Sequence, residues 1–235
     1  MFQSLVYLCN LIWLSIKVFI KDDVDNIYNL AKFYNKRPPR FLYASHSFYS
    51  YCNRKKLELY TRGVEKRDAR AMYQLGSIYA DFYSTPANVR RMVELYEMAV
   101  EKDDTDAMTA LAMVYHYGRE GVNKNTKKAI ELYERAIKGG SKLEMYFLAT
   151  LCEDGDGDGG VAPINYEKAV NLYMLSIADP KCPEIKPSYY KLAMIHYFGK
   201  GTIPQDSRKA TEIIKMGIHA GSYTSLDVLN QMKTI

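Results

Sequence analysis

The segment Lys102–Tyr115, KDDTDAMTALAMVY, has a counterpart 81 residues earlier, Lys21–Tyr34, KDDVDNIYNLAKFY, which keeps Lys, Asp, Asp, Asp, Leu, Ala and Tyr in place. Sequence that returns at fixed intervals constrains a chain more than composition does, because a unit of about 35 residues leaves its apolar face wet unless a like unit stacks on it. The unit is clearest in Asp106–Gly140. Met108, Leu111, Ala112 and Tyr115 follow the 3, 4, 7 spacing of one helix face, and Ala129, Leu132, Tyr133 and Ala136 repeat it in a second helix. Gly118 and Gly121 interrupt the pattern between the two, and Gly139–Gly140 is expected to end the second helix with a left-handed residue.

The register extends along the chain. Ala71, Met72, Leu75, Gly76 and Tyr79 lie 36 positions before Ala107, Met108, Leu111, Ala112 and Tyr115; Leu192, Ala193 and Ile195 lie 81 after Leu111, Ala112 and Val114. A further copy carries Leu148, Ala149, Ala169 and Tyr173, and with the divergent copy at Lys21 there are about five hairpins.

These units resemble Sel1-like repeats, relatives of the tetratricopeptide repeats. The residues that carry the resemblance are the Leu-Ala/Gly step (Leu75-Gly76, Leu111-Ala112, Leu148-Ala149, Leu192-Ala193), the glycine loop (Gly118, Gly121; Gly199, Gly201) and the second-helix pattern Lys128-Ala129, Leu132-Tyr133, Ala136 and Lys168-Ala169, Leu172-Tyr173. Two helices approach to about 8–10 Å where a side chain is trimmed, which is the use of the small residues. The resemblance implies an all-α, right-handed solenoid with capping helices at both ends. Its expected divisions are an apolar cap over 1–20, a divergent repeat with a basic, aromatic insert over 21–67, repeats over 68–105, 106–142, 143–185 and 186–223, and a cap over 224–235.

The resemblance also implies a non-enzymatic scaffold or adaptor that binds another protein or a peptide segment in a concave groove. In the related tetratricopeptide units the groove is lined by first-helix positions three before the small residue, one after it and four after it. Carried onto this chain, the first position gives Tyr28, Tyr73, Thr109, Tyr146 and Tyr190; the other two give Lys32, Ser77, Met113, His116, Thr150, Met194 and Tyr197. A ladder of tyrosines suits a peptide, offering apolar faces and hydroxyls at low rotamer cost. The competing reading is that each tyrosine packs on the second helix of the preceding repeat.

A hydrophobic content of 48% with 25% charged residues is that of an ordinary globular chain with ample core. Secreted members of the family carry a Cys pair in each repeat, whereas Cys9, Cys52, Cys152 and Cys182 have no shared repeat position. Reduced thiols in a cytoplasmic compartment are therefore expected. Residues 1–20 are apolar, but Gln3, Asn10 and Lys17 recur every seven residues as a wet stripe, so a packed helix that shields Trp13 is expected, with membrane association as the alternative.

Residues 36–70 carry ten basic and three acidic side chains, +7 against +5 for the whole chain. Lys36, Arg37, Arg40, Arg54, Lys55 and Lys56 beside Phe41, Tyr43, Phe48, Tyr49 and Tyr51 make a polyanion-binding surface, for nucleic acid or phospholipid, the alternative to a solvated loop. Asp154, Asp156, Asp158 and Gly159 open like a calcium loop, but its twelfth position holds Asn165 where a bidentate Glu is needed. Ser188 and Lys191 have SxxK spacing without an SDN or KTG box, and His46, His116, His196 and His219 have no metal-ligand spacing. No cofactor, metal or catalytic residue is expected.

Overall fold

The computed structural model describes residues 10–15, 17–18, 21–35, 46–82, 85–139, 143–155, 163–178 and 186–222. Its helices are α1 (Val24–Asn35), α2 (His46–Glu65), α3 (Ala69–Phe82), α4 (Pro86–Val100), α5 (Thr105–Tyr117), α6 (Thr126–Lys138), α7 (Leu143–Asp154), α8 (Tyr166–Ile177), α9 (Lys186–Phe198) and α10 (Ser207–His219). Among the described residues the only β pairing is an isolated bridge between Arg119 and Val122. The chain divides into two compact units, Met1–Leu111 with Arg119–Val122, and Ala112–Gly118 with Asn123–Ile235.

Seven of these helices start where a side chain satisfies an orphan backbone donor. Asp23, Asp68 and Asp104 stand at one repeat position and accept from the N–H groups of Asn26, Ala71 and Ala107 at 2.8, 2.9 and 2.8 Å. The second helices α4, α6, α8 and α10 are capped in the same way by Thr85, Asn125, Asn165 and Asp206. The backbone N–H groups of Asn125, Asn165 and Asp206 also donate to the carbonyls of Tyr115, Cys152 and His196 at 2.7, 2.8 and 2.7 Å. One residue thus closes the loop and starts the return helix.

Gly139 keeps a right-handed conformation, φ −71°. The left-handed residue stands one step later in the register, at Arg67 (φ 59°), Asp103 (φ 58°) and Gly221 (φ 79°), and its counterpart Gly140 lies outside the described residues. Gly118 and Gly121 do adopt positive φ in the loop after α5.

In the first unit, Ile27, Leu30 and Ala31 of α1, Leu59 and Tyr60 of α2, Ala71 and Leu75 of α3 and Leu95 of α4 form the core. Leu11, Leu14 and Val18 pack against it. Trp13 lies about 200° round the helix from Leu11 at 3.6 residues per turn. It is accordingly 56% exposed, with Ile12 at 58% and the Lys17 ammonium 3.6 Å over the indole, so the expected shielding is not met. In the second unit the core joins Ala149 and Cys152 of α7, Ala169, Val170 and Tyr173 of α8, Tyr189, Leu192, Ala193 and Ile195 of α9, and Ala210, Ile213 and Ile214 of α10. Of the expected N-terminal cap over 1–20, residues 1–9, 16, 19 and 20 lie outside the described residues, as does the whole expected cap over 224–235.

One second-helix position is deeply buried in every hairpin. It holds Tyr60, Tyr96, Tyr133, Tyr173 and Ile214, none more than 4% exposed. Gly76 shows what the small first-helix residue does for it, since a Cβ there would stand 2.6 Å from the Tyr96 ring. Gly76→Ala should therefore displace that ring and destabilise the first unit by about 1–3 kcal/mol in denaturant titration. Asp103→Gly should act oppositely, raising stability by about 0.5–1 kcal/mol in the same measurement, because it relieves a left-handed non-glycine at a helix end.

Candidate partner-binding face

The buried tyrosines determine which first-helix side chains stay outside. A ring on a second helix brings a hydroxyl into the core, and that hydroxyl needs a partner. Tyr96 Oη lies 3.3 Å from Ser77 Oγ, Tyr173 Oη lies 3.3 Å from Thr150 Oγ1, and Tyr133 Oη lies 3.4 Å from His116 Nδ1. Three of the residues expected to meet a partner are thus engaged within their own hairpins. Thr150 and His116 are buried, and Ser77 is half-buried.

The expected tyrosine ladder is half-buried throughout at Tyr28, Tyr73, Tyr146 and Tyr190, as is Thr109. Three of its rings meet the second helix of their own hairpin. Tyr28 meets Tyr60 at 6.2 Å, Tyr73 stacks on Tyr96 at 5.9 Å and 29°, and Tyr146 meets Tyr173 at 6.1 Å. Arg70 covers Tyr28 at 4.6 Å, with the exposed Lys32 at 6.0 Å. In the second unit Met113 is exposed while Met194 and Tyr197 are half-buried.

Two features of this face escaped the sequence reading. Tyr117 and Phe198, 81 residues apart and so at one repeat position, are 60% and 58% exposed at the ends of α5 and α9. Tyr117 stacks on His116 at 4.2 Å, and Phe198 meets Tyr197 edge-on at 5.1 Å. One step further along the register would have found them. Glu153, four residues after Ala149, was missed although its position is the one that gives His116 and Tyr197. Its buried carboxylate accepts from Tyr173 Oη at 3.0 Å, Lys191 Nζ at 3.1 Å and Lys200 Nζ at 3.1 Å. Burial opposes its charge, but Lys200 and Lys191 outweigh burial and hold the carboxyl below its ordinary range.

The remaining candidates are distributed as follows. Lys191 is tied to Glu153, and Ser188, fully buried, accepts a hydrogen bond from Ser176 Oγ at 2.8 Å. Lys55 pairs with Glu58 at 2.8 Å, Lys56 donates to Asn35 Oδ1 at 3.2 Å, and the Arg54 guanidinium lies 5.9 Å from the Tyr51 ring centre. Lys36, Arg37 and Arg40 lie outside the described residues. Further along the basic segment, Arg62 and Lys66 pair with Asp22, and Arg70 with Asp25 and Asp68. Asp154 ends α7 and Asn165 caps α8, while Asp156, Asp158 and Gly159 lie outside the described residues. Among the described residues no group of three or more His, Cys, Asp or Glu is placed to hold a metal ion, and no helix is long and apolar enough to cross a membrane. Cys52 and Cys152 are buried free thiols, while Cys9 and Cys182 lie outside the described residues.

Hairpins in register, with small-residue steps and capped return helices, define a helical-repeat protein. The Sel1 repeat model matches residues 69–104, 105–141, 145–176 and 186–222, more than half of the chain, and the chain belongs to that family. The N-terminal hairpin α1–α2 lies outside these matches. A Sel1 repeat protein from Oxalobacter formigenes is similar in structure, with TM-score 0.59 and 16% identity over 73% of this chain and 69% of that one. A protective antigen of uropathogenic Escherichia coli strains that displays an SLR fold gives TM-score 0.62 and 17% identity over 94% of this chain and 51% of its own. This chain therefore spans about half of that antigen's length. A Sel1 repeat protein from Klebsiella pneumoniae subsp. pneumoniae gives TM-score 0.53 and 18% identity over 90% and 93%. At these identities the likeness is one of fold. No curated protein gives a significant sequence match to the chain.

Burial, reinforced by Lys124 and Lys209 respectively, pushes the imidazoles of His116 and His196 below their ordinary value of 6.5. The unfolded chain then binds protons that the folded chain refuses, so stability should fall as pH drops from about 7 to about 5. His116→Gln with His196→Gln should flatten that part of a melting-temperature profile. Glu153, with its folded pKa depressed, contributes above the ordinary 4.5 and loses its contribution only as pH falls through the lower folded value, so its effect is separable.

Proposed function

We propose that this chain is a non-enzymatic scaffold that binds a segment of another protein on the inner first-helix face of its second unit. The observation that supports this most directly is the pair Tyr117 and Phe198, large aromatic side chains held exposed at one repeat position while the second-helix tyrosines are buried. Exposed, rigid aromatic rings lose little conformational entropy on binding and are favoured binding anchors. The half-buried Tyr146, Tyr190, Met194 and Tyr197 and the exposed Met113 add apolar surface on the first helices α5, α7 and α9. Thr150 and His116 act on this reading as supports, through Tyr173 and Tyr133. The free thiols of Cys52 and Cys152 support a reducing compartment.

The experiment is site-specific photo-crosslinking from positions 117 and 198, with position 175 on the exposed Leu175 of α8 as the control. A partner that crosslinks at 117 and 198 but not at 175 is then purified and titrated against the chain. Tyr117→Ala and Phe198→Ala should each weaken binding by about 1–3 kcal/mol with the melting temperature nearly unchanged. Equal capture at position 175, or binding unchanged in both alanine variants, overturns the reading.

A further inference from the structure

The first unit carries a second surface that is independent of the inner face. From Asn26 to Leu57 the sequence has no Asp or Glu and seven basic residues, Lys32, Lys36, Arg37, Arg40, Arg54, Lys55 and Lys56. Of the basic residues that follow it, Arg62, Lys66 and Arg70 are held in ion pairs by Asp22, Asp25 and Asp68, and Glu58 takes Lys55. Arg54 and Lys56, the latter also donating to Asn35 Oδ1, line a cleft of about 340 Å³ between α2 and α3, together with Asn53, Leu57, Ile78 and Tyr79. Leu57 is 40% exposed there, and Ile78 and Tyr79 are only half-buried.

We propose that this cleft binds an acidic, amphipathic segment of a partner protein, with an apolar side chain against Leu57, Ile78 and Tyr79 and flanking carboxylates beside Arg54 and Lys56. The guanidinium of Arg54 and the ammonium of Lys56 at the cleft favour an anionic partner. The apolar lining selects among anions. A nucleic-acid backbone offers phosphates but no aliphatic group to fill the cleft, and a bilayer surface does not enter a concave site, whereas a peptide carries both groups on one short stretch. Arg54 supplies a planar donor fork suited to a carboxylate.

The test uses the full chain and a short fluorescein-labelled peptide of alternating Glu and Leu pairs, read by anisotropy. Its Gln-for-Glu analogue, a labelled single-stranded oligonucleotide and phosphatidylserine vesicles serve as competing probes. The acidic peptide should bind more tightly than the Gln analogue and weaken as salt rises. Arg54→Glu with Lys56→Glu should reduce its affinity about ten-fold or more. Leu57→Ser, at an exposed position, should also reduce it, whereas Lys55→Glu, Tyr117→Ala and Phe198→Ala should leave it within about two-fold. Melting temperatures of the variants establish that each is folded. Affinity unchanged in both the double reversal and Leu57→Ser overturns the proposal. So does a preference for the oligonucleotide or the vesicles over the acidic peptide, or loss of peptide binding in the Tyr117 and Phe198 variants.

Discussion

The contact between a second-helix tyrosine and the small residue on the facing first helix sets the terms for the rest of the structure. Gly76 admits the Tyr96 ring because it has no Cβ, and with the ring comes a hydroxyl that must be satisfied inside the hairpin. Ser77 meets that need in the first unit, and Thr150 with Glu153 meets it for Tyr173. Where the position one step after the small residue is Met113, the hydroxyl of Tyr133 reaches His116 a turn further on. The last hairpin has Ile214 at the same step and no hydroxyl to satisfy, and its corresponding first-helix residues are Met194 and Tyr197. The composition of the first-helix face thus follows from one position on the second helix.

Local hydrogen bonds fix the limits of the hairpins. Asp23, Asp68 and Asp104 start first helices, and Thr85, Asn125, Asn165 and Asp206 start second helices. In the second unit the second-helix cap also reaches back to the end of the preceding helix, so loop length can change without moving the helices it joins. That is how α7–α8 accommodates a longer connection than α5–α6 and still places Asn165 against the Cys152 carbonyl at 2.8 Å. A residue that fails the twelfth position of a calcium loop is thereby explained as a helix cap.

Charge is treated differently in the two units. In the first, Asp22, Asp25 and Asp68 draw Arg62, Lys66 and Arg70 into exposed or half-exposed pairs, which leaves the acid-free stretch before them as the basic part of the unit. In the second, one carboxylate is buried at Glu153 and held by two ammonium groups and a phenol. Breaking a buried pair costs far more than breaking an exposed one, so Glu153 fixes Lys191 and Lys200 more firmly than the surface pairs fix their arginines.

The sequence by itself determined the all-α class, the hairpin unit, its register and the positions of its helices, since these rest on spacing of 3, 4 and 7 residues and on glycine and capping residues that act locally. The matched steps Leu111-Ala112 and Leu192-Ala193 are buried as that spacing requires. Only the tertiary structure decided which residues of the first-helix face are exposed. Spacing assigns a residue to a side of a helix but says nothing of the hydroxyl that approaches from the opposite helix. His116 and Thr150 were therefore drawn in, Glu153 was buried under two lysines, and Trp13, Tyr117 and Phe198 were left exposed, because burial depends on what packs across the hairpin and not on the order of residues along it.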